Sequence, residues 1–123
     1  MLKEGLSHTS RLIVNDQNTA LTMGSGDMPV LATPAMMALM ENAAMMAVSG
    51  ELKEGQTTVG GHIESSHLHP SPMGAGVEAT AILYKVEGPK LYYHITACMG
   101  DVVIGEGEHL RFIVDRKRFL SRL

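Results

Sequence analysis

The chain has 123 residues, 45% of them hydrophobic, which suits one domain over residues 1–123 that can bury a core without disulfides or a structural metal. A net charge of −3 argues against a nucleic-acid binder, and the single cysteine, Cys98, leaves no internal disulfide and makes a cytoplasmic setting the default. The start, from Met1 to Gly5, lacks the apolar run of a signal peptide, and no apolar stretch reaches the roughly 20 residues that span a bilayer, so no membrane association is expected.

In chain order, Arg11 to Asn15 is short, apolar and β-branched and reads as a first strand. Gly24 to Pro29 reads as a flexible approach segment. Ala32 to Gly50 is the clearest helix: Thr33 suits the N-cap, Pro34 the first helical position, and Gly50 the stop. Alanine, methionine and leucine fill it, and it is apolar almost all round, the pattern of a buried helix. Met36, Met37, Met40, Met45 and Met46 fall within it; methionine suits both ordinary cores and adaptable apolar cavities.

Strands follow at 57–69, 76–87, 91–99 and 102–114, separated by turns at Pro70–Gly74, Gly88–Lys90 and Gly100–Asp101. Consecutive antiparallel hairpins are the simple pairing. Asp115 to Leu123 reads as a short terminal helix. One buried helix and a series of long strands pack best if the sheet curls around the helix, and a helix apolar on every side needs more cover, which a second subunit could supply.

Three groups of residues suggest chemistry. Glu41 is flanked three and four positions away by Met37, Ala38, Ala44 and Met45. Buried there, its carboxylate would need a partner and would suit base chemistry; the other reading is a narrow exposed stripe beside Asn42. Thr33 either caps the helix or stands where free N–H groups could meet an oxyanion. His67 and His69 share one face of a strand and His62 the other, a pattern open to a catalytic histidine, a metal pair or plain surface residues. Arg111, Arg116, Lys117, Arg118 and Arg122 form a basic C-terminal cluster, either a solvated face or a dock for phosphates.

The stretch Leu31 to Ala44 resembles the helix of the fluoroacetyl-CoA thioesterase-like branch of the hotdog superfamily. Gly60 to His67, Pro72-Met-Gly, Lys85-Val-Glu-Gly and Ile104 to His109 are similar to its later segments, in the same order and spacing. The resemblance covers the chain from Met28 onward. It implies an α+β hotdog fold, a long central helix wrapped by a curved antiparallel β-sheet, in a homodimer with active sites at the interface; whether dimers pair into tetramers stays open. It implies an acyl-CoA thioesterase that hydrolyses a short, medium or aryl acyl-CoA to the free acid and coenzyme A. No metal and no cofactor are implied beyond the coenzyme A that is part of the substrate. By the same resemblance Thr33, Glu41 and His67 are the catalytic group, Gly61 lies near the thioester carbonyl, and Arg111 is the last-strand arginine of the substrate site. The family's fluoroacetyl-specific members carry phenylalanines just before the helix. Gly24 to Met28 carries none, which points to a different acyl group. A non-catalytic acyl-CoA or small-ligand binding module is the alternative; a hotdog hydratase would want an Asp/His pair placed otherwise.

Overall fold

A computed structural model describes residues 1–123. The elements are β1 (Ser7–Ile13), α1 (Ala20–Met23), α2 (Thr33–Val48), a 3-10 turn (Ser49–Glu51), β2 (Gln56–His67), β3 (Gly76–Glu87), β4 (Lys90–Met99), β5 (Val102–Asp115) and α3 (Arg116–Ser121). All five strands join one antiparallel sheet in the order β1-β3-β4-β5-β2, and the sheet curls around α2. This is the α+β hotdog architecture expected from the sequence. No helix is long and apolar enough to cross a membrane.

Alternation sets the inner face of the sheet. Val77, Ala79, Ala81 and Leu83 of β3 and Leu91, Tyr93, Ile95 and Ala97 of β4 are buried, while the residues between them face outward. Against this face α2 lays Ala35, Met36, Leu39, Met40, Ala43, Ala44, Ala47 and Val48. Small side chains on both surfaces let helix and sheet approach closely. Met36 and Met40 are fully buried, each worth about 1.5–3 kcal/mol of transfer free energy. Met36 sits over Gly105, where an added Cβ would lie 2.6 Å from its sulfur. The other stripe of α2 is less covered: Met37, Glu41 and Met45 are half-buried, and Met46 is 40% exposed. The helix is therefore apolar almost all round but fully buried on one side only.

Pairing departs from consecutive hairpins at one place. β3-β4-β5 is a simple meander whose turns carry Gly88 (φ 60°) and Gly100 (φ 59°) at their first central positions, the type II′ requirement. β2 does not pair with β3 and runs instead along β5. The connection 68–75 contains Pro70 and Pro72 and crosses the end of the sheet. Leu68 N–H bonds the Ile104 carbonyl, Leu31 N–H the Ser71 carbonyl, and Gly74 N–H the Val14 carbonyl. These bonds carry the chain from the β5 edge to the β1 side, leaving β2 as an outer strand. A register shift between Gly60 and His62 adds a bulge to β2, which bends it around the helix.

Candidate active site

Thr33 is the first residue of α2, and Ala32, which makes no side-chain cap bond, is the N-cap. The expected capping role of Thr33 is thus not the one it plays. Its Oγ1 lies 2.7 Å from Nδ1 of His67, the last residue of β2. Pro34 at the second position removes one donor from the first turn. The N–H groups of Thr33 and Ala35 remain without intrahelical acceptors. The His67 Nε2 is buried without a hydrogen-bond partner. Burial lowers the His67 pKa below the ordinary value of 6.5, so the neutral ring is favoured near pH 7. Thr33 and His67 border a cavity of about 280 Å³ lined also by Ala20, Ser25, Val30 and Leu31.

The other strand histidines have different partners. His69 Nδ1 lies 2.7 Å from the Pro70 carbonyl, and it is exposed, so His67 and not His69 meets Thr33. His62 is exposed on β2 and presents its carbonyl to His109.

Glu41 sits two helical turns beyond Thr33, roughly 12 Å along the axis at 1.5 Å per residue. The chain therefore joins Thr33 to His67 and leaves Glu41 apart from them. Glu41 is half-buried, between the two sequence readings. Asn42 instead accepts a hydrogen bond from Ser10 Oγ at 2.7 Å, on the β1 side. A Cβ built on Gly60 would lie 3.1 Å from Glu41 Oε2, 3.4 Å from His109 Cε1 and 3.5 Å from Arg111 Nη1. Glu41, His109 and Arg111 thus converge over Gly60, where the missing side chain makes room.

Gly60 is the glycine beside the Glu41 carboxylate, and a Cβ on Gly61 would lie 2.3 Å from the Phe112 ring. One expectation is corrected here. Arg111 is not part of an exposed basic cluster. It is 7% exposed, and Nε and Nη2 donate to Thr58 Oγ1 (2.9 Å) and the Thr58 carbonyl (3.0 Å). Arg116, Lys117, Arg118 and Arg122 are exposed on and after α3.

The sequence reading missed Gly60, His109, Thr58 and Tyr93. Alternation could have found His109, since Gly105, Gly107, His109 and Arg111 share the inward face of β5, opposite Ala97, Ile95, Tyr93 and Leu91. Tyr93 is fully buried with its hydroxyl unpartnered, and burial pushes its pKa up to about 12.

Residues 14–117 match the family described as fluoroacetyl-CoA-specific thioesterase. The chain belongs to this family. The fluoroacetyl-CoA thioesterase of Streptantibioticus cattleyicolor is 34% identical over 94 residues, spanning 76% of this chain and 68% of that protein. A crystal structure of a phenylalanine-to-alanine mutant of the fluoroacetyl-CoA-specific thioesterase, in complex with fluoroacetate and CoA, has a TM-score of 0.89 at 29% identity and covers 96% of this chain and 99% of that chain. A Thermus thermophilus hypothetical protein, a thioesterase superfamily member, has a TM-score of 0.91 at 26% identity, covering 99% of this chain and 90% of that chain. In this member of the fluoroacetyl-CoA-specific thioesterase family, small side chains, Ala20 and Ser25, stand beside the Thr33–His67 cavity.

Proposed function

We propose that the chain hydrolyses a short, medium or aryl acyl-CoA thioester to the free acid and coenzyme A, with Glu41, Thr33 and His67 as its catalytic group. The observation that carries this reading is the 2.7 Å contact between Thr33 Oγ1 and His67 Nδ1, beside a cavity and with Nε2 buried and unpartnered. Buried polar atoms rarely lack partners, and a substrate atom would satisfy this one. The pair offers two proton arrangements. A Thr33 hydroxyl that donates to Nδ1 leaves Nε2 as the N–H that can protonate a leaving thiolate. A ring that donates from Nδ1 leaves Nε2 bare, as a base.

Glu41 reacts in one of two ways. As nucleophile it forms a bond to the carbonyl carbon while the C–S bond breaks; the thiolate takes a proton, and water then hydrolyses the acyl–Glu41 anhydride. As general base it takes a proton from the attacking water. Both routes end in a carboxylic acid and a free thiol. The first-turn N–H groups of α2 and the backbone at Gly60 are the donors available to the oxyanion.

A second copy of the chain completes the site. β2 is a 12-residue outer strand with one edge open, and open edges of that length invite pairing. The partly covered stripe Met37, Met45 and Met46 of α2 supplies apolar surface beside it. Antiparallel pairing of two β2 strands sets the His67 end of one toward the Gln56–Gly60 end of the other. The Thr33–His67 pair of one copy then approaches Glu41 of its partner. Exposed Arg116, Lys117, Arg118 and Arg122 offer charge to coenzyme A phosphates. Cys98 is free, which suits a cytoplasmic setting.

The test is thiol release from acetyl-, butyryl-, octanoyl- and benzoyl-CoA, with wild type beside Glu41→Ala. Hydrolysis by wild type that disappears in the variant supports the reading. Binding of these thioesters without any thiol release would turn the assignment to a binding module.

A further inference from the structure

His109 lies behind Glu41, 3% exposed, and the reaction proposed above gives it no part. Its two nitrogens have unequal partners. Nδ1 is 2.6 Å from the His62 carbonyl, which can only accept, so Nδ1 carries the proton. Nε2 is 3.2 Å from Arg111 Nη1, which can only donate, so Nε2 is the acceptor. Both contacts are satisfied by one species, the neutral ring protonated on Nδ1. Burial, with the nearby charges of Arg111 and His62, disfavours a second proton, and that effect outweighs the opposing pull of the His62 carbonyl and of Glu41.

The consequence falls on Arg111. Thr58 holds Nε and Nη2 from the β2 side, and His109 holds Nη1 from the neighbouring inward position of β5. Three anchors on a planar group fix its plane and its rotation. Nη1 and the Glu41 carboxylate both stand over Gly60, 3.5 Å and 3.1 Å from the place a Cβ there would take. The groups packed around this carboxylate are His109 and Arg111 of β5, with Thr58 and His62 of β2 and Tyr93 of β4 around them. Arg111 is the only permanent cation among them. Without the His109 anchor the rigid guanidinium plane is held by Thr58 along one edge only and can tilt about it, which moves Nη1 relative to the Glu41 carboxylate.

The geometry points to His109 as a positioning residue: through its Nδ1-protonated tautomer it holds the Arg111 guanidinium in a fixed orientation beside the Glu41 carboxylate over Gly60. This rests on Glu41 being the reacting carboxylate.

The experiment compares wild type, His109→Leu, His109→Gln and Glu41→Gln, using whichever of acetyl-, butyryl-, octanoyl- and benzoyl-CoA wild type hydrolyses fastest. Loss of a hydrogen bond to a charged group predicts a fall of about 10- to 100-fold in kcat for His109→Leu, with KM within about twofold. His109→Gln, whose amide can accept from Arg111, recovers most of the rate. A His109→Leu variant with wild-type kcat overturns the inference, as does a Gln variant no better than Leu. If Glu41→Gln keeps wild-type turnover, the Glu41 reading fails and this inference with it; if Glu41→Gln is inactive and the His109 variants are unchanged, only the inference fails. A second readout needs no variant to fold: the 15N signals of His109 in wild type near neutral pH show a neutral Nδ1–H ring. An Nε2–H or doubly protonated ring overturns the inference.

Discussion

Thr33 Oγ1 lies 2.7 Å from His67 Nδ1 and joins the first turn of α2 to the last residue of β2. The contact crosses 34 positions of sequence and ties the helix start to the strand end where the cavity opens. Thr33→Val removes the hydroxyl and keeps the shape. We expect kcat to fall about 10- to 100-fold, while the melting temperature changes little, because Thr33 is exposed and lost contacts at exposed sites cost about 0.5 kcal/mol or less. Thr33→Ser keeps most of the rate. Steady-state thiol release and a thermal melt of each variant check this; a Val variant as active as wild type would remove Thr33 from the chemistry.

Gly60 and Gly61 separate activity from stability. Gly60→Ala sets a methyl group 3.1 Å from Glu41 Oε2 and 3.5 Å from Arg111 Nη1; if Glu41 reacts as proposed, this displaces its carboxylate and lowers kcat with a modest change in stability. Gly61→Ala drives a methyl group into the Phe112 ring, and overpacking of this kind costs about 1–3 kcal/mol. Paired kinetic and melting measurements should show the kinetic defect larger in Gly60→Ala and the stability defect larger in Gly61→Ala. The reverse ranking would return the site glycine to position 61.

Stability should depend on pH through the buried histidines. His67 and His109 are both held below the ordinary value of 6.5, chiefly by burial. The unfolded chain binds these protons at higher pH than the folded one, so stability rises with pH over that interval; the contribution is complete above about pH 6.5 and is lost as the pH falls through the folded values. The melting temperature is expected to hold from about pH 8 to 7 and to fall below about pH 6.5, with a shallower fall in His109→Gln. A wild-type melting temperature that climbs between pH 7 and 5.5 would contradict the burial of neutral rings.

Tyr93 tests whether its buried hydroxyl has a purpose inside the protomer. The group is fully buried and unpartnered, so Tyr93→Phe removes a desolvated atom without breaking a bond. Equal or slightly higher stability by chemical denaturation is the expected result. A loss of more than about 1 kcal/mol would mean that the hydroxyl is satisfied in solution, by water or by a partner copy.

Much of this was legible in the sequence, and the misses have local causes. The Ala- and Met-rich stretch gave α2 to within two residues at its end, and the glycine turns gave β3, β4 and β5. Four residues of α1, capped by the Thr19 side chain, are too few to show a helical period. The placement of β2 beside β5 comes from hydrogen bonds of the 68–75 connection, which no alternation pattern encodes. Thr33 looked like a cap because capping and His67 contact ask for the same residue type. The resemblance put Gly61 near the thioester carbonyl, and only the strand geometry, with its Gly60–His62 bulge, shows that Gly60 stands beside Glu41. Arg111 joined the basic cluster by nearness in sequence, although strand alternation turns it inward.

The claim on which the rest depends is a single active site assembled from Glu41 of one copy and the Thr33–His67 pair of another. Complementation tests it most directly: Glu41→Ala and His67→Ala chains, each inactive alone, are unfolded together, refolded as a mixture and assayed for thiol release. A shared site gives each mixed dimer one intact set of residues, so random pairing restores about a quarter of the wild-type activity. A mixture as inactive as its two components, with mixed dimers shown to form, would place all three residues of each working site within one protomer and contradict the account.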